Sequence, residues 1–445
     1  MINLSEKKLG RTLTFIDLLS LGVAALIGTG IFVLTGIAAG SAGPALFLSF
    51  GIAGTIAILT ALSYAELASM YPAAGASYVY CRKAFSTLNV NFGQFVSAIV
   101  GWTLMTQYIA VGAAVWLGFG LYATFFLPQL SVTTWGIIIG VFTTILLYRG
   151  MGVSKNVINV LTLFKVLAVL LFIVIGFVHP QLPIPIHQKP FLPKGVSGLL
   201  AGAAIIAFGQ IHIDTVTTVA EEAINPHDVP KATVLSIAVV VVLYALVGWV
   251  IVTLVPSTDL PTLKAPLASA LQVVTSGWAA SFVAVAGIAA TITSGLGCMI
   301  GGPRVGLAMA REGQLWSAFS NIHSKYKSPT TATLFSGIFA LVLTLTGNLK
   351  LVASAGVFTA LIIFIAVNIS VIILRYTRKD EQRSFKIPLG ICMPILAIIG
   401  IIIEMSSLNI EAIKWGIIWL LTGVGIYFIF HKKSQSKEKF VNLDK

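Results

Sequence analysis

The sequence predicts an all-α membrane protein of about twelve transmembrane helices, and three observations support this fold class. Of the 445 residues, 57% are hydrophobic and only 10% are charged, whereas soluble domains carry about 25% charged residues. Apolar runs of about 18 or more residues recur along the chain, and each is long enough to cross a hydrocarbon core of about 30 Å. Two of these runs are interrupted near their middles by glycines and polar residues.

The predicted spans share low charge and high apolar content. They lie at residues 15–38, 44–69, 92–124, 133–149, 156–178, 197–220, 232–255, 278–308, 330–346, 352–374, 388–404 and 412–430.

The spans divide into two sets of five, and each set begins with an interrupted span. The sets occupy residues 13–178 (spans one to five) and 195–376 (spans six to ten). Because each set has an odd number of spans, the second set lies inverted in the membrane. Spans eleven and twelve (388–430) follow as an appendix. A cytoplasmic N-terminal segment (1–12) and a cytoplasmic tail (431–445) complete the predicted organisation.

The positive charge follows the membrane topology. With the N-terminus inside, 22 of the 28 Lys and Arg residues fall in cytoplasmic segments and five fall in outside loops. This asymmetry is typical of membrane proteins and predicts that both termini are cytoplasmic. The net charge of +13 is therefore explained by topology and by contact with membrane lipid. A nucleic acid partner is not needed to explain it.

The two interruptions indicate a solute site. Backbone groups left unpaired at membrane depth are tolerated only where they line a cavity, and matched interruptions in two halves point to the binding site of a transporter. The amide end of a broken helix suits a carboxylate and its carbonyl end suits an ammonium, so the pair fits an amino acid zwitterion. The alternative is that the glycines only permit close helix packing. The predicted substrate-binding residues are Ile27, Gly28, Thr29, Gly30, Ile31, Phe208, Gln210, Ile211 and His212.

Several motifs of this chain, taken together, resemble those of one family. They are Gly22 to Phe32, Ser63-Tyr64-Ala65-Glu66-Leu67-Ala68, Tyr71-Pro72, Ala74-Gly75, Glu221-Glu222, Asn225-Pro226, Pro230-Lys231-Ala232 and Ala310-Arg311-Glu312-Gly313.

In order and spacing these motifs resemble the amino acid–polyamine–organocation (APC) transporters, closest to their cationic amino acid transporter-like members. The matching region runs from residue 10 to about 330. The resemblance implies the LeuT-type five-plus-five inverted repeat with broken helices 1 and 6, and transport by alternating access.

Lys165 is the most informative single residue. It follows Lys155 by ten residues, which places it about 15 Å deep at the helical rise per residue. A charged side chain at that depth indicates a functional site, and a lysine there can bind a proton in one conformation and release it in another. The resemblance implies that its ammonium stands where relatives hold sodium, beside Thr293 and Ser294. The alternatives are a snorkelling lysine or a structural ion pair.

Two positions depart from the pattern of cationic members. Gln107 stands where those members have glutamate, which leaves open whether the solute is cationic or neutral. His212 stands where close relatives have glycine, and its imidazole can contact the solute, bind a proton or remain a core residue. Asp214 is predicted to cap the helix that follows the second interruption, and a role in the solute site is the alternative.

Charged residues at the cytoplasmic helix ends predict a gate. Acidic side chains near a helix C-terminus need partners, because the helix dipole disfavours negative charge there. Arg82, Arg304 or Arg311 are the expected partners of the acids. The predicted gate residues are Glu66, Glu221, Glu222, Arg304 and Arg311.

These observations predict a secondary active transporter of amino acids in the cell membrane, sodium-independent and proton-coupled or exchanging. Its partners are an amino acid, protons and membrane lipid, and no nucleic acid. A transporter of polyamines or another organocation is the alternative, and a membrane channel is disfavoured because no ring of charge or carbonyl filter is visible. No His, Cys or acid set has metal-ligand spacing, so no enzyme activity, metal or cofactor is expected.

Overall fold

The computed structural model describes residues 11–72, 76–150, 155–275, 277–326 and 328–443. Most of the predicted N-terminal segment (1–12), the Ala74-Gly75 motif and the side chains of the predicted tail (431–445) lie outside the described residues.

The described chain is helical, and its β pairing is a single bridge between Leu13 and Ala223. The helices in chain order are α1 (Phe15–Leu26), α2 (Thr35–Ala42), α3 (Leu46–Met70), α4 (Ala76–Ser86), α5 (Val90–Phe126), α6 (Val132–Tyr148), α7 (Lys155–Val178), α8 (Gly195–Ile206), α9 (Thr215–Thr218), α10 (Asp228–Leu254), α11 (Pro266–Gln272), α12 (Trp278–Arg311), α13 (Thr330–Leu345), α14 (Leu349–Thr377), α15 (Cys392–Ser406) and α16 (Ile410–Leu443).

The lengths of these helices match repeated membrane crossings. Within the described ranges, eight helical segments are long and apolar enough to span a bilayer, and the apolar helices α6, α13 and α15 are shorter. The first of the eight, Phe15–Met70, is 56 residues long. That exceeds one crossing of about 20 residues, and the chain turns within it at Gly43, where φ is +66°. The chain is thus a multi-pass membrane protein.

The first predicted interruption is present between α1 and α2. Thr14 and Asp17 form a reciprocal capping box at the start of α1, which fixes where this helix begins. The helix ends at Leu26, and Ile27 leaves the helical conformation with φ −78° and ψ 89°. A π-helical turn at Gly30–Leu34 then leads into α2. The non-helical step falls where the sequence predicted it.

The second predicted interruption is present between α8 and α9. The α-helix α8 ends at Ile206, and a 3₁₀ turn follows at Ala207–Gln210. A turn through Asp214 then leads into α9, which is a single helical turn. Both predicted broken spans are therefore discontinuous in the structure.

Small residues let the helices approach closely around the interruptions. On α12, Gly301 faces the ring of Tyr108 and Gly287 faces the ring of Tyr122, both from α5; a Cβ at either glycine would lie about 2.5 Å from ring atoms. Lipid offers no hydrophobic drive for helix association, so packing of this kind holds membrane helices together. The helices α6, α7, α13 and α16 turn large apolar side chains outward, among them Phe142, Val342 and Leu421.

Candidate functional site

The two interruptions meet at a pair of glycines. A Cβ on Gly30 would clash with the backbone Cα and N of Gly209. Gly28 lies against α12, where an added Cβ would clash with the hydroxyl of Ser294. Any residue larger than glycine at position 30 would push the two interrupted backbones apart. The packing role that the sequence left open for the glycines is therefore real, and it brings both broken spans and α12 to one place.

Lys165 joins the end of α1 to α12. It is 0% exposed, and Nζ donates to the carbonyl oxygens of Ala24 at 2.9 Å and Ile27 at 3.0 Å. The third N–H of the ammonium donates to Oγ1 of Thr293 at 3.2 Å. Within the described residues no carboxylate lies at ion-pair distance from this ammonium. The neighbours are neutral oxygens, and those of α1 belong to a helix end that carries partial negative charge.

The orientation of α7 explains why Lys165 is buried. Val160, Leu163 and Leu167 on the same helix are 67%, 60% and 48% exposed, so they face outward while Lys165 faces inward. The lysine therefore does not snorkel, and in the described chain it has no acidic partner. Of the two expected neighbours on α12, Thr293 contacts the ammonium, whereas Ser294 lies against Gly28.

Two tyrosines bind further carbonyls of the first interruption. Tyr244 of α10 donates to the oxygen of Leu26 at 2.5 Å, and Tyr122 of α5 donates to the oxygen of Phe32 at 2.7 Å. Together with Lys165 they bind carbonyl oxygens at the first interruption and in the turn after it, which lipid cannot do. Neither tyrosine could be predicted from the sequence, since a tyrosine within an apolar run carries no signal of its partner.

The second interruption is held by its own polar contacts. With its side-chain amide oriented so that both of its atoms are satisfied, Gln210 donates from nitrogen to the oxygen of Ala53 at 2.8 Å and accepts at oxygen from the amide of Gly54 at 3.3 Å. His212 stacks on Tyr108 with ring centroids 6.0 Å apart, and its Nε2 lies 3.5 Å from Sγ of Cys298. Gln210 thus fixes this segment to α3, and His212 fixes it to α5 and α12. Phe208 and Ile211 are buried between them.

Several buried polar atoms near the interruptions have no partner. In the described part of the chain, Oγ1 of Thr29, Oγ of Ser294 and Oε1 of Gln107 make no hydrogen bond. Leaving a buried polar group unpaired costs about 1–3 kcal/mol, so such groups are unusual in a stable protein. Thr29 and Ser294 lie next to the glycines of the first interruption.

Asp214 does not act as the side-chain cap that the sequence predicted. It stands at the position before α9, but its side chain makes no capping hydrogen bond. The amides of Thr217 and Thr218 donate to its backbone oxygen at 2.9 and 3.0 Å. Asp214 has helical backbone angles (φ −79°, ψ −11°) instead of the extended conformation typical of an N-cap, so its carboxylate is not placed to accept from the first amides of α9. Its buried Oδ1 has no partner among the described residues.

The predicted gate acid Glu66 is paired, although with other arginines than expected. Its carboxylate contacts Arg375 of α14 at 2.5 Å and Nε of Arg383 at 3.3 Å, and it accepts from the amide of Ile387 at 2.8 Å. Arg82 pairs instead with Glu312. The expected pairing of Glu66 with Arg82, Arg304 or Arg311 was wrong, because helix packing brings the end of α14 to Glu66.

The other predicted gate residues lie at the same end of the bundle. The oxygen of Glu222 accepts from the amides of Thr12 and Leu13 at 2.9 and 3.0 Å, and Ile224 donates to the oxygen of Leu13 at 2.9 Å. The segment after α9, which includes Glu221, is thereby attached to the segment before α1. Arg304 and Arg311 are exposed on α12 and make no ion pair with a described residue.

We expect Glu66→Gln to destabilise the protein strongly. Glu66 is 1% exposed, and removing one partner of a buried ion pair costs about 3–5 kcal/mol. Glu411→Gln is the matched control, since it breaks the exposed pair with Lys414, worth at most about 1 kcal/mol. Thermal unfolding in detergent should show a large fall in Tm for the first variant alone. Equal Tm values would mean that the Glu66 cluster does not hold these helix ends together.

Comparisons with known proteins agree with this geometry. A family model described as amino acid permease matches residues 13–429. The branched-chain amino acid permease BcaP of Bacillus subtilis is 34% identical, with 96% of this chain and 94% of that protein aligned. The methylthioribose transporter of the same organism is 31% identical over 96% and 95% of the two chains. The vacuolar cationic amino acid transporter 4 of Arabidopsis thaliana is 33% identical, over 84% of this chain and 64% of that protein.

Proposed function

Because the chain belongs to the amino acid permease family of the APC superfamily, we propose that it is a sodium-independent secondary transporter of neutral amino acids. One observation carries the proposal: the Lys165 ammonium joins the carbonyls at the end of α1 to α12. It lies beside the place where the interrupted spans touch. A fixed cation there makes a bound sodium ion unnecessary.

The proposed architecture is a bundle of twelve spans in the cell membrane with both termini in the cytoplasm. Residues 13–178 form one repeat and residues 195–376 form its inverted copy. The discontinuous helices at the start of each proposed repeat and the excess of Lys and Arg in alternate loops support this arrangement. Alternating access would then occur by rocking one part of the bundle against the other around the interruptions.

The proposed solute position is beside the contact of Gly30 with Gly209. Amides at Gly28 to Ile31 would bind the carboxylate of the amino acid, and carbonyls at Phe208 to Ile211 would bind its ammonium. The partial charges of broken helix ends favour these polarities. The unpaired hydroxyls of Thr29 and Ser294 support the proposal, since a polar solute would satisfy them.

The proposed role of Lys165 is coupling, either to a proton or to exchange of one solute for another. Its contacts on two helices mean that a change in its proton occupancy alters how tightly α1 is held to α12. Thr293 receives one of its hydrogen bonds and would share this role. Glu66, Glu221 and Glu222 would hold the cytoplasmic end closed while the solute site faces outward.

A neutral side chain on the solute is supported by Gln107 and by one of the relatives. The amide of Gln107 replaces a carboxylate that would attract a cationic side chain, and its Oε1 is buried without a partner in the described chain. BcaP, which aligns over 94% of its length, is named for branched-chain amino acids. A second candidate is a thioribose-type solute, because the methylthioribose transporter aligns equally fully.

A solute panel tests the proposed function. We expect branched-chain amino acids to raise the Tm of the purified protein, since a ligand at about a hundred times its Kd stabilises by about 2.7 kcal/mol. Arginine, a polyamine and methylthioribose complete the panel. Labelled solute should accumulate in proteoliposomes preloaded with unlabelled solute, which a channel cannot do. If arginine or methylthioribose alone raised the Tm, that compound would be the solute instead of a branched-chain amino acid. If labelled solute crossed the membrane without accumulating by counterflow, the protein would not be a carrier.

A further inference from the structure

A small cavity lies behind the second interruption, between it and α3, α14 and α15. Gln210 and Ile211 of the interrupted span line it together with residues of α3 and α14 and with Glu404 of α15. Its volume of about 10 Å³ is the least that can hold a water molecule, and its lining is almost entirely apolar. Among the described residues that line it, Gln210 and Glu404 alone have polar side chains.

Glu404 points into the protein rather than into lipid. It is 3% exposed, and it shares a helix face with Ala397 and Ile401, which are both 0% exposed. The neighbouring Ile402 and Ile403 face outward with 54% and 44% exposure. Oε1 of Glu404 has no hydrogen-bond partner in the described residues. The sequence analysis did not single out this acid, because it stands at the end of the predicted eleventh span.

Among the described residues, no cation lines the cavity opposite Glu404. The lining residues of α3 and α14 are all apolar, and the interrupted span contributes Gln210 as its one polar residue. Of the lining residues that the structure describes, Glu404 alone is ionisable. An unpaired carboxylate in such surroundings is very costly, whereas a protonated carboxyl is neutral and can donate a hydrogen bond. The surroundings therefore favour the proton-bound form.

We propose that Glu404 is a proton-binding site that supports the second interruption from behind. In the proton-bound form the neutral carboxyl lines the cavity beside the Gln210 segment without placing a charge there, and this segment stays bonded to Ala53 and Gly54 of α3. Loss of the proton at alkaline pH places a bare charge beside this segment. The segment then shifts toward water, and the solute site that it helps to form is weakened.

The effect of Glu404 on solute binding rests on the proposed function, whereas the binding of a proton by Glu404 does not. This site is separate from Lys165, which contacts the first interruption and α12. A pH gradient across a membrane tests Lys165, but equilibrium measurements at one uniform pH test Glu404. The two sites can therefore be examined independently.

Infrared spectroscopy of the purified full-length protein at neutral pH tests for the proton. The wild type should show a carboxylic acid C=O stretch that Glu404→Gln lacks, with its carboxylate bands unchanged. Glu411→Gln is the matched control, because the exposed Glu411 contacts Lys414 and its loss should remove carboxylate signal instead. Loss of carboxylate signal from Glu404→Gln would overturn the proposal.

Solute affinity measured against pH tests the support of the interruption. Above the pH at which Glu404 ionises, wild-type affinity should fall by up to about tenfold per pH unit, and that of Glu404→Gln should fall less. Titration of the solute and of Lys165 is common to both proteins, so the difference isolates Glu404. Superimposable profiles would overturn the supporting role.

Two further results keep the test decisive. Glu404→Leu also lacks an ionisable group and replaces the glutamine variant if that variant does not fold. It should likewise lack the carboxylic acid C=O stretch. If no solute stabilises the wild type, the proposed function fails, and the infrared result still decides whether Glu404 holds a proton.

Discussion

Lys165→Met is expected to abolish the response of solute uptake to a pH gradient. Methionine has a similar length but no charge and no donor, so the carbonyls of Ala24 and Ile27 and the hydroxyl of Thr293 lose their common partner. Each hydrogen bond to a charged group contributes about 1.5–3 kcal/mol, so a lower Tm is expected as well. Without a group that binds and releases a proton at this position, the proposed coupling of uptake to the gradient through Lys165 is lost.

The measurement is uptake into proteoliposomes with and without an imposed pH gradient, beside counterflow at equal pH. Lys194→Met is the matched control, since Lys194 also donates to a carbonyl of the first span, that of Gly40 at 2.6 Å, but is exposed. Uptake by Lys194→Met should keep its full response to the pH gradient. An unchanged response in Lys165→Met would remove this residue from coupling.

Gly30→Ala is expected to reduce counterflow by about tenfold to a hundredfold. The added Cβ would clash with the backbone of Gly209, and backbone cannot rotate away as the end of a side chain can. Overpacking of this kind costs about 1–3 kcal/mol, and about 1.4 kcal/mol corresponds to a factor of ten. The two interrupted spans would be pushed apart at the place proposed for the solute.

Gly297→Ala is the control for the loss of a glycine. Gly297 lies within α12, and no atom lies within 4 Å of a Cβ added there. Alanine is favoured over glycine within a helix by about 1 kcal/mol, so this variant should be as stable as the wild type or more so. Normal counterflow in Gly30→Ala would mean that the glycine contact is not needed for transport.

The features that the sequence could predict are those encoded locally. Glycine and polar residues within an apolar run predicted the interruptions at Gly28 and at Gln210, because a continuous helix has no use for them. The depth of Lys165 followed from counting residues along one helix. The family was predicted from short motifs whose order and spacing lie within the chain itself.

The features that the sequence could not predict depend on how distant helices pack. Tyr244 and its acceptor Leu26 are 218 residues apart, and Glu66 and Arg375 are 309 apart. Several arginines lie near the same end of the bundle, so charge alone could not select the partners of Glu66. For Asp214 the helix position was predicted correctly, but its backbone is helical, so the amides of Thr217 and Thr218 bind its main-chain oxygen instead of its carboxylate.

The pairing of Leu13 with Ala223 uses only main-chain atoms. Its strength therefore depends little on which side chains stand there, as long as none of the donor residues Thr12, Leu13 and Ile224 becomes proline. Substitutions around the glycines, at the proposed solute position, therefore leave this attachment between the start of α1 and the segment after α9 intact. The proposed selectivity and this attachment can in this way evolve separately.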